Sequence, residues 1–330
     1  DIYRRTNGSA RSVWDLAVLV AFFPHLIAGP ILKPREFLPQ LAEPIVIRWR
    51  NLEAGIQIFL TGLVKKVLIA DNLAPFVDAV YAAPQDHAST TVWLAVLAYA
   101  VQIFCDFSGY TDMAIGSARC LGFRIPQNFD LPYLSRSITE FWRRWHISLS
   151  TWLRDYLYIS LGGNRKGPVR QHVNLFLTML LGGLWHGASW NFVLWGGLHG
   201  TALAVHKLYA GRLKRPEWEA LPLYQVAAWG LTFTFVSLAW VCFRSADFGT
   251  TLQVFSKLAF QDPGGIRWVP PALVAAAVIV PLAHLVGRTR DELSYFKLDT
   301  FPGLFALFFT ILLVLGYMPT RSSPFIYFQF

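Results

Sequence analysis

Apolar residues gather in long blocks along this chain, separated by shorter stretches that carry prolines, aromatic rings and most of the arginine and lysine. A helix needs roughly 20 apolar residues to cross a hydrocarbon layer about 30 Å thick. Residues 13–32 have that length but are interrupted by Pro24, His25, Gly29 and Pro30, which predicts a bent or re-entrant segment. Residues 33–50 mix charges, prolines and rings and read as an interfacial loop on the cytoplasmic side. A second block, residues 52–74, holds Lys65 and Lys66 late enough for both to snorkel toward an interface. The third, residues 90–107, is the cleanest early span and closes in a polar run containing Asp106, Ser108, Thr111 and Asp112. Those carboxylates either line a polar cavity or pair with Arg119 or Arg124. Further spans are expected over residues 190–205, 224–243, 271–286 and 301–318, with a loop at 245–268 placed outside.

Two stretches depart from this pattern. Residues 119–170 are too polar to span yet dense in tryptophan and arginine, and read as a cytoplasmic or interfacial helical segment. Within it Ser137 and Glu140 fit a capping box, so a helix should begin near Ser137. Along that helix Trp142, Trp145, His146, Leu149, Leu153 and Tyr156 recur at helical spacing as one stripe, while Arg143, Arg144, Thr151 and Asp155 fall elsewhere. Gly162, Gly163 and Pro168 mark its end. The second stretch runs Gly182-Gly183-Leu184-Trp185-His186-Gly187-Ala188-Ser189-Trp190 and sets one ionisable ring, His186, inside an apolar run. The glycines let a backbone or a substrate come close to that ring. Either His186 belongs to a site, or it ties two helices together and the glycines are packing notches.

Composition agrees with the blocks. Hydrophobic residues make up 54% of the 330 and charged ones only 15%, too apolar a balance for a soluble domain. The expected fold is therefore an all-α, polytopic integral membrane bundle with broken or re-entrant helices. The net charge of +9 lies in loops between apolar blocks, where the positive-inside bias accounts for it without a nucleic-acid partner. Cys105, Cys120 and Cys242 form no paired spacing, which leaves them as apolar packing residues. The chain opens at Asp1 without an initiator methionine or a signal-type segment and reads as a piece lacking an upstream part.

Chemistry narrows by elimination. No GxSxG elbow, Walker loop or GxGxxG occurs, which removes support for serine hydrolysis, ATP-driven pumping and hydride transfer. The eight histidines are scattered, so no metal site is expected. His87, His172, His206 and His284 fall at predicted helix ends or loops and read as solvated surface, whereas His25 beside Pro24 fits either role. His146 and His186 lie in apolar, aromatic surroundings, with His199 one helical stretch further on. A buried imidazole stays neutral and can take a proton from a hydroxyl, so general-base catalysis on an alcohol follows. Arg143, Arg144, Arg165 and Lys166 are candidates either for a donor's phosphates or for lipid headgroups.

Several motifs in one order carry a family resemblance. They are Pro24-His25-Leu26-Ile27-Ala28-Gly29-Pro30, Phe104 to Asp112, Phe141 to Tyr158, Leu161-Gly162-Gly163-Asn164-Arg165, and Leu184-Trp185-His186-Gly187. Together they resemble the membrane-bound O-acyltransferase family, and within it the members that O-acetylate bacterial alginate, peptidoglycan and cellulose. The resemblance spans the chain and implies one acyltransferase domain over residues 1–330, with further membrane helices upstream. It implies a central tunnel through which an acetyl group from a cytoplasmic thioester, acetyl-CoA or an acyl-carrier protein, reaches an acceptor on the outer side. His186 takes the place of the family's essential histidine and His146 that of the second. Trp145, Asp155, Trp185, Asn191 and His199 join Arg143 and Arg144 as candidate substrate or donor contacts. Implied partners are the donor thioester, periplasmic acetylation proteins, membrane lipid and an exported polysaccharide, in a bacterial inner membrane crossed many times. No bound cofactor is implied. A transporter or channel with a polar midplane site, and a scaffold for a secreted acetylase, remain as alternative readings.

Overall fold

The computed structural model describes residues 12–212, 217–276, 297–319 and 325–326, and every regular element among them is helical. Contacts divide the chain into two units. The first is drawn from Asp1–Asn72, Phe104–Asn128 and Arg288–Gln329, the second from Leu73–Ile103 and Phe129–Gly287.

In the first unit α1 (Val13–Ala21) starts where the Ser12 hydroxyl accepts from the Asp15 N–H. It stops before Pro24, where the chain enters a 3₁₀ turn over Phe23–His25, so the predicted bend falls at the proline. The expected loop at 33–50 contains a helix, α2 (Pro34–Leu41). The Gln40 side chain fixes it, donating to the Arg124 carbonyl and accepting from the Arg124 N–H, each at 2.8 Å. Phe37 is fully buried between the rings of Phe22 and Phe123.

Helix α3 (Trp49–Val64) runs through a π-helical turn, Lys65–Ala70, into α4 (Asp71–Ala82). The cleanest early span is longer than its apolar core: α5 covers Ser89–Cys120 and continues through the polar run. Glycines bring α3 against the later turns of α5, since a Cβ on Gly62 would stand 2.3 Å from the Gly109 carbonyl and one on Gly116 2.5 Å from that of Gly55. That approach corrects two expectations. Lys65 and Lys66 do not snorkel; Lys66 Nζ lies 2.6 Å from both Asp71 and Asp106, and Lys65 Nζ 2.6 Å from Asp112. Asp106 and Asp112 accordingly pair with lysines rather than with Arg119 or Arg124. The second oxygen of Asp106 accepts from the Ile326 N–H at 3.1 Å.

In the second unit α6 (Ile138–Arg144) begins as the capping box predicts, with Ser137 Oγ accepting from the Glu140 N–H at 3.1 Å. The Glu140 carboxylate reaches back one residue further than expected, to the Arg136 N–H at 2.8 Å. The long striped helix does not form. It breaks after Arg144, His146 takes a left-handed φ of 44°, and the chain resumes as α7 (Ile147–Trp152) and a π-helical turn, Leu153–Tyr158. Positive φ at Gly162 and Gly163 closes this segment, as glycines there predict.

Helices α8 (Gly167–His186) and α9 (Trp190–Arg212) form a tight hairpin. Gly182 and Gly183 both lie inside α8, and the turn comes at 187–189. The glycines let the two backbones meet, with a Cβ on Gly183 falling 2.3 Å from the Phe192 carbonyl and one on Gly196 2.5 Å from that of Met179. Helix α10 covers Pro222–Arg244. The expected loop at 245–268 carries a helix, α11 (Phe248–Leu258), capped by the Asp247 carboxylate on the Thr250 N–H at 2.7 Å. His87, expected at the surface, is buried with Nδ1 3.0 Å from the Ala83 carbonyl. His284 and most of the span expected at 271–286 fall outside the described residues.

The last helix, α12 (Phe301–Gly316), belongs to the first unit. Among the described residues α5 and α10 are the two helices long and apolar enough to cross a membrane, and α12 is a shorter apolar helix. Helices α8 and α9 have 20 and 23 residues, but Arg170, His172 and Asn174 in one and Asn191, His199 and Lys207 in the other dilute their hydropathy.

Candidate functional site

The aromatic centre of the second unit holds the three histidines that apolar context singles out. His186 is the last residue of α8 and half-buried. Its ring stands 5.0 Å from Phe243, 5.2 Å from Trp185, 5.3 Å from Trp195 and 6.1 Å from Phe192. Leu184 and Trp185 are exposed beside it, so His186 sits at the margin of the packed interior. The turn at Gly187 ends α8, and α9 then returns Phe192 and Trp195 over the ring.

His146 is buried at the left-handed junction between α6 and α7. Burial, reinforced by the charge His186 would carry, pushes its imidazole down to about 3. His186 is therefore within electrostatic reach of it. The neighbouring Trp145 is buried and packs edge-on to Phe129 at 5.0 Å and against Trp240 at 5.0 Å. The stripe's tryptophans, Trp142 and Trp145, thus both face the core ahead of the left-handed turn.

His199 lies one turn along α9 from Trp195 and is fully buried. Trp142 Nε1 donates to its Nδ1 at 3.2 Å, so the ring proton belongs on Nε2. Trp195 lies 4.8 Å from His199 and 5.3 Å from His186, and connects the two rings. Trp240 of α10 completes the cluster at 5.9 Å from Trp195. An open apolar groove of about 570 Å³ runs along α9, lined by Phe176, Leu180, Leu194, Leu198 and Phe235. Phe235 also touches His199, at 5.5 Å.

The other candidates divide. Asn191 is buried and structural, donating to the Ser245 carbonyl at 3.0 Å and accepting from the Thr251 hydroxyl at 3.1 Å. Arg144 is taken up by Glu140 at 3.0 Å and the Asp130 carboxylate at 3.8 Å. Asp155 pairs with its neighbour Arg154 at 2.8 Å. Arg143, Arg165, Lys166 and Trp185 are exposed. The reading of residues one by one missed Trp195, Trp240 and Phe243. The signal was there, since Trp195 and His199 stand four apart and Trp240 and Phe243 three apart, each pair on one helical face.

Neutral imidazoles walled by rings suit proton abstraction from a hydroxyl. A model of the membrane-bound O-acyltransferase family matches residues 11–245. A protein of Azotobacter vinelandii named probable alginate O-acetylase AlgI is 47% identical over 266 residues, covering 79% of this chain and 51% of its own length. Its namesake in Pseudomonas syringae is 50% identical over 266 residues, covering 79% and 49%. The peptidoglycan O-acetyltransferase of Helicobacter pylori is 44% identical over 246 residues, covering 74% and 46%. The chain spans about half the length of these curated relatives.

Proposed function

The chain belongs to the membrane-bound O-acyltransferase family, and on that premise we propose that it passes acetyl groups from a cytoplasmic thioester across the bacterial inner membrane for O-acetylation of an exported polysaccharide. The donor is acetyl-CoA or an acyl-carrier thioester, and periplasmic acetylation proteins act downstream. In this reading residues 1–330 serve as one acyltransferase domain in a multi-pass bundle with a tunnel, and residues 119–170 lie at the cytoplasmic interface.

His186 acts as the base. It takes the proton of the acceptor hydroxyl as the oxygen attacks the acyl carbon, and returns it to the departing thiolate. His146 shares the cavity and orients the acceptor. The observation that carries this reading is the setting of His186: an imidazole at the end of α8, walled by Trp195, Phe192 and Phe243, with buried His146 in electrostatic reach. The alginate- and peptidoglycan-acetylating names of similar proteins support the substrate class.

The test is His186→Ala in the full-length protein, assayed in membranes with labelled acetyl donor. Removing a positioned base costs about 10²- to 10⁴-fold in rate, and the variant should insert and accumulate as the wild type does. Undiminished acetyl transfer by His186→Ala would sink the assignment.

A further inference from the structure

The ring cluster beside His186 contains more hydrogen-bonding capacity than the protein itself uses. Trp195 Nε1, Trp240 Nε1, His199 Nε2 and Ser237 Oγ are all buried and have no hydrogen-bond partner among the described residues. Their residues are 2%, 1%, 0% and 2% exposed, so bulk water does not serve them. They are also together: Trp195 to His199 is 4.8 Å, Trp195 to Trp240 5.9 Å and His199 to Trp240 6.4 Å between ring centres. Ser237 precedes Trp240 by three residues on α10, on the same helical face. Native interiors pair nearly all such groups, and a cluster of unpaired ones calls for a ligand or a function.

The chemistry of the cluster is one-sided. An indole N–H only donates. His199 is fixed as an Nε2–H donor because its Nδ1 already accepts from Trp142. Three neutral N–H donors and a hydroxyl, without a charged side chain among them, suit an oxygen that is neutral in the ground state and gains negative charge during reaction.

We propose that Trp195, His199, Trp240 and Ser237 form an oxyanion site that binds the carbonyl oxygen of the acyl donor's thioester beside His186. The assignment rests on the acetyl-transfer reading above. As the acceptor hydroxyl attacks, its proton passes to His186, a C–O bond forms to the acyl carbon, and the carbonyl π pair moves onto the oxygen held by the cage. When that pair returns, the C–S bond breaks and the thiolate leaves with the proton from His186. Donors set in a dry aromatic shell need no reorganisation to meet that charge. Trp195, packed on both His186 and His199, sets the base and the oxyanion donors on neighbouring rings.

Trp195→Phe and Trp240→Phe each keep a ring and delete one N–H. In the full-length enzyme with acetyl-CoA and an acetylated carrier protein as donors, rates are normalised to the folded fraction. Each variant should lose about 10²-fold in kcat, the scale of one oxyanion donor, with KM for the donor nearly unchanged. In parallel, the carbonyl stretch of [1-¹³C]acetyl-CoA bound to His186→Ala enzyme should lie lower with the cage intact than in the Trp240→Phe background. Wild-type kcat in both Phe variants, or a lowered melting temperature with kcat unchanged as a buried-water site would give, overturns the cage and leaves acetyl transfer standing. A wild type that transfers from neither donor overturns the function on which the cage rests.

Discussion

The substitution Gly183→Ala joins packing to function in a single methyl group. Its Cβ would stand 2.3 Å from the Phe192 carbonyl oxygen and 3.1 Å from Gly196 Cα, both backbone atoms of α9 that cannot rotate away. Ordinary contact needs about 3.5 Å, so the two helices must separate by about 1 Å. Overpacking of this kind costs about 1–3 kcal/mol. The same shift carries His186, three residues on at the end of α8, away from Trp195 and Phe192 on α9. A 1 Å misplacement can cost about 10²-fold in rate, so activity should fall further than the folded fraction does. Two controls fix the interpretation. At Gly182 a Cβ meets only the Leu153 side chain, at 3.3 Å, which can yield. At Gly230 nothing lies within 4 Å, and alanine in a helix interior should stabilise by about 0.5–1 kcal/mol. Melting temperature in detergent and initial acetyl-transfer rate, measured on all three variants, test the set. A Gly183→Ala protein as stable and as fast as the Gly230→Ala protein would refute the close-contact argument.

Three further outcomes are expected. Lys66→Met leaves Asp71 and Asp106 facing each other without their shared cation, so it should destabilise by about 3–5 kcal/mol; adding Asp71→Asn and Asp106→Asn should recover most of that loss in thermal unfolding. The His146 imidazole titrates near 3 when folded against a reference of 6.5, so between those values the unfolded chain binds the extra proton and stability rises with pH. At pH 5 this amounts to about 2 kcal/mol, and His146→Asn, whose side chain tolerates the left-handed backbone, should make the rise of the melting temperature between pH 4 and 6.5 shallower than in the wild type. A cysteine at Arg165, exposed at the end of the polar segment, should be labelled from the cytoplasm and not by an impermeant reagent outside intact cells; the opposite result would invert the topology.

Local signals in the sequence placed several features correctly. Ser137 and Glu140 set the start of α6, Pro24 the end of α1, and the glycines at 162 and 163 the end of the polar segment. Each depends on backbone chemistry within a few residues. The misreadings share the opposite property. Lys66 looked like a snorkelling residue because Asp106 is 40 positions away, and only the Gly62–Gly109 contact brings α3 and α5 close enough for an ion pair. His87 looked solvated because Ile266, with which its backbone forms an isolated strand-like bridge, lies far along the chain. At the candidate site, the histidines were visible as polar residues out of place, but their shell only as same-face pairs, Trp195 with His199 and Trp240 with Phe243. Trp195 and Trp240 read as ordinary rings of two apolar helices, and periodicity carries no information about which faces of α9 and α10 meet.

The break at His146 runs against local helical preference. On one continuous helix Trp142, Trp145 and His146 would share a stripe, and the two tryptophans would compete with the imidazole for the same neighbours. The left-handed residue, which costs a β-carbon-bearing side chain about 1–2 kcal/mol, turns the chain between them. Trp142 then reaches His199 with its N–H, Trp145 packs on Trp240, and His146 stands immediately before the next helix within electrostatic reach of His186. Strain held at a position surrounded by packed rings is stable only because the surroundings determine it. Here those surroundings are Phe129, Phe141 and Trp240, packed on Trp145 immediately before the turn. Aromatic packing therefore has two roles in this chain: it fixes the unusual turn at His146, and it walls the half-buried His186 ring with Phe192, Trp195 and Phe243.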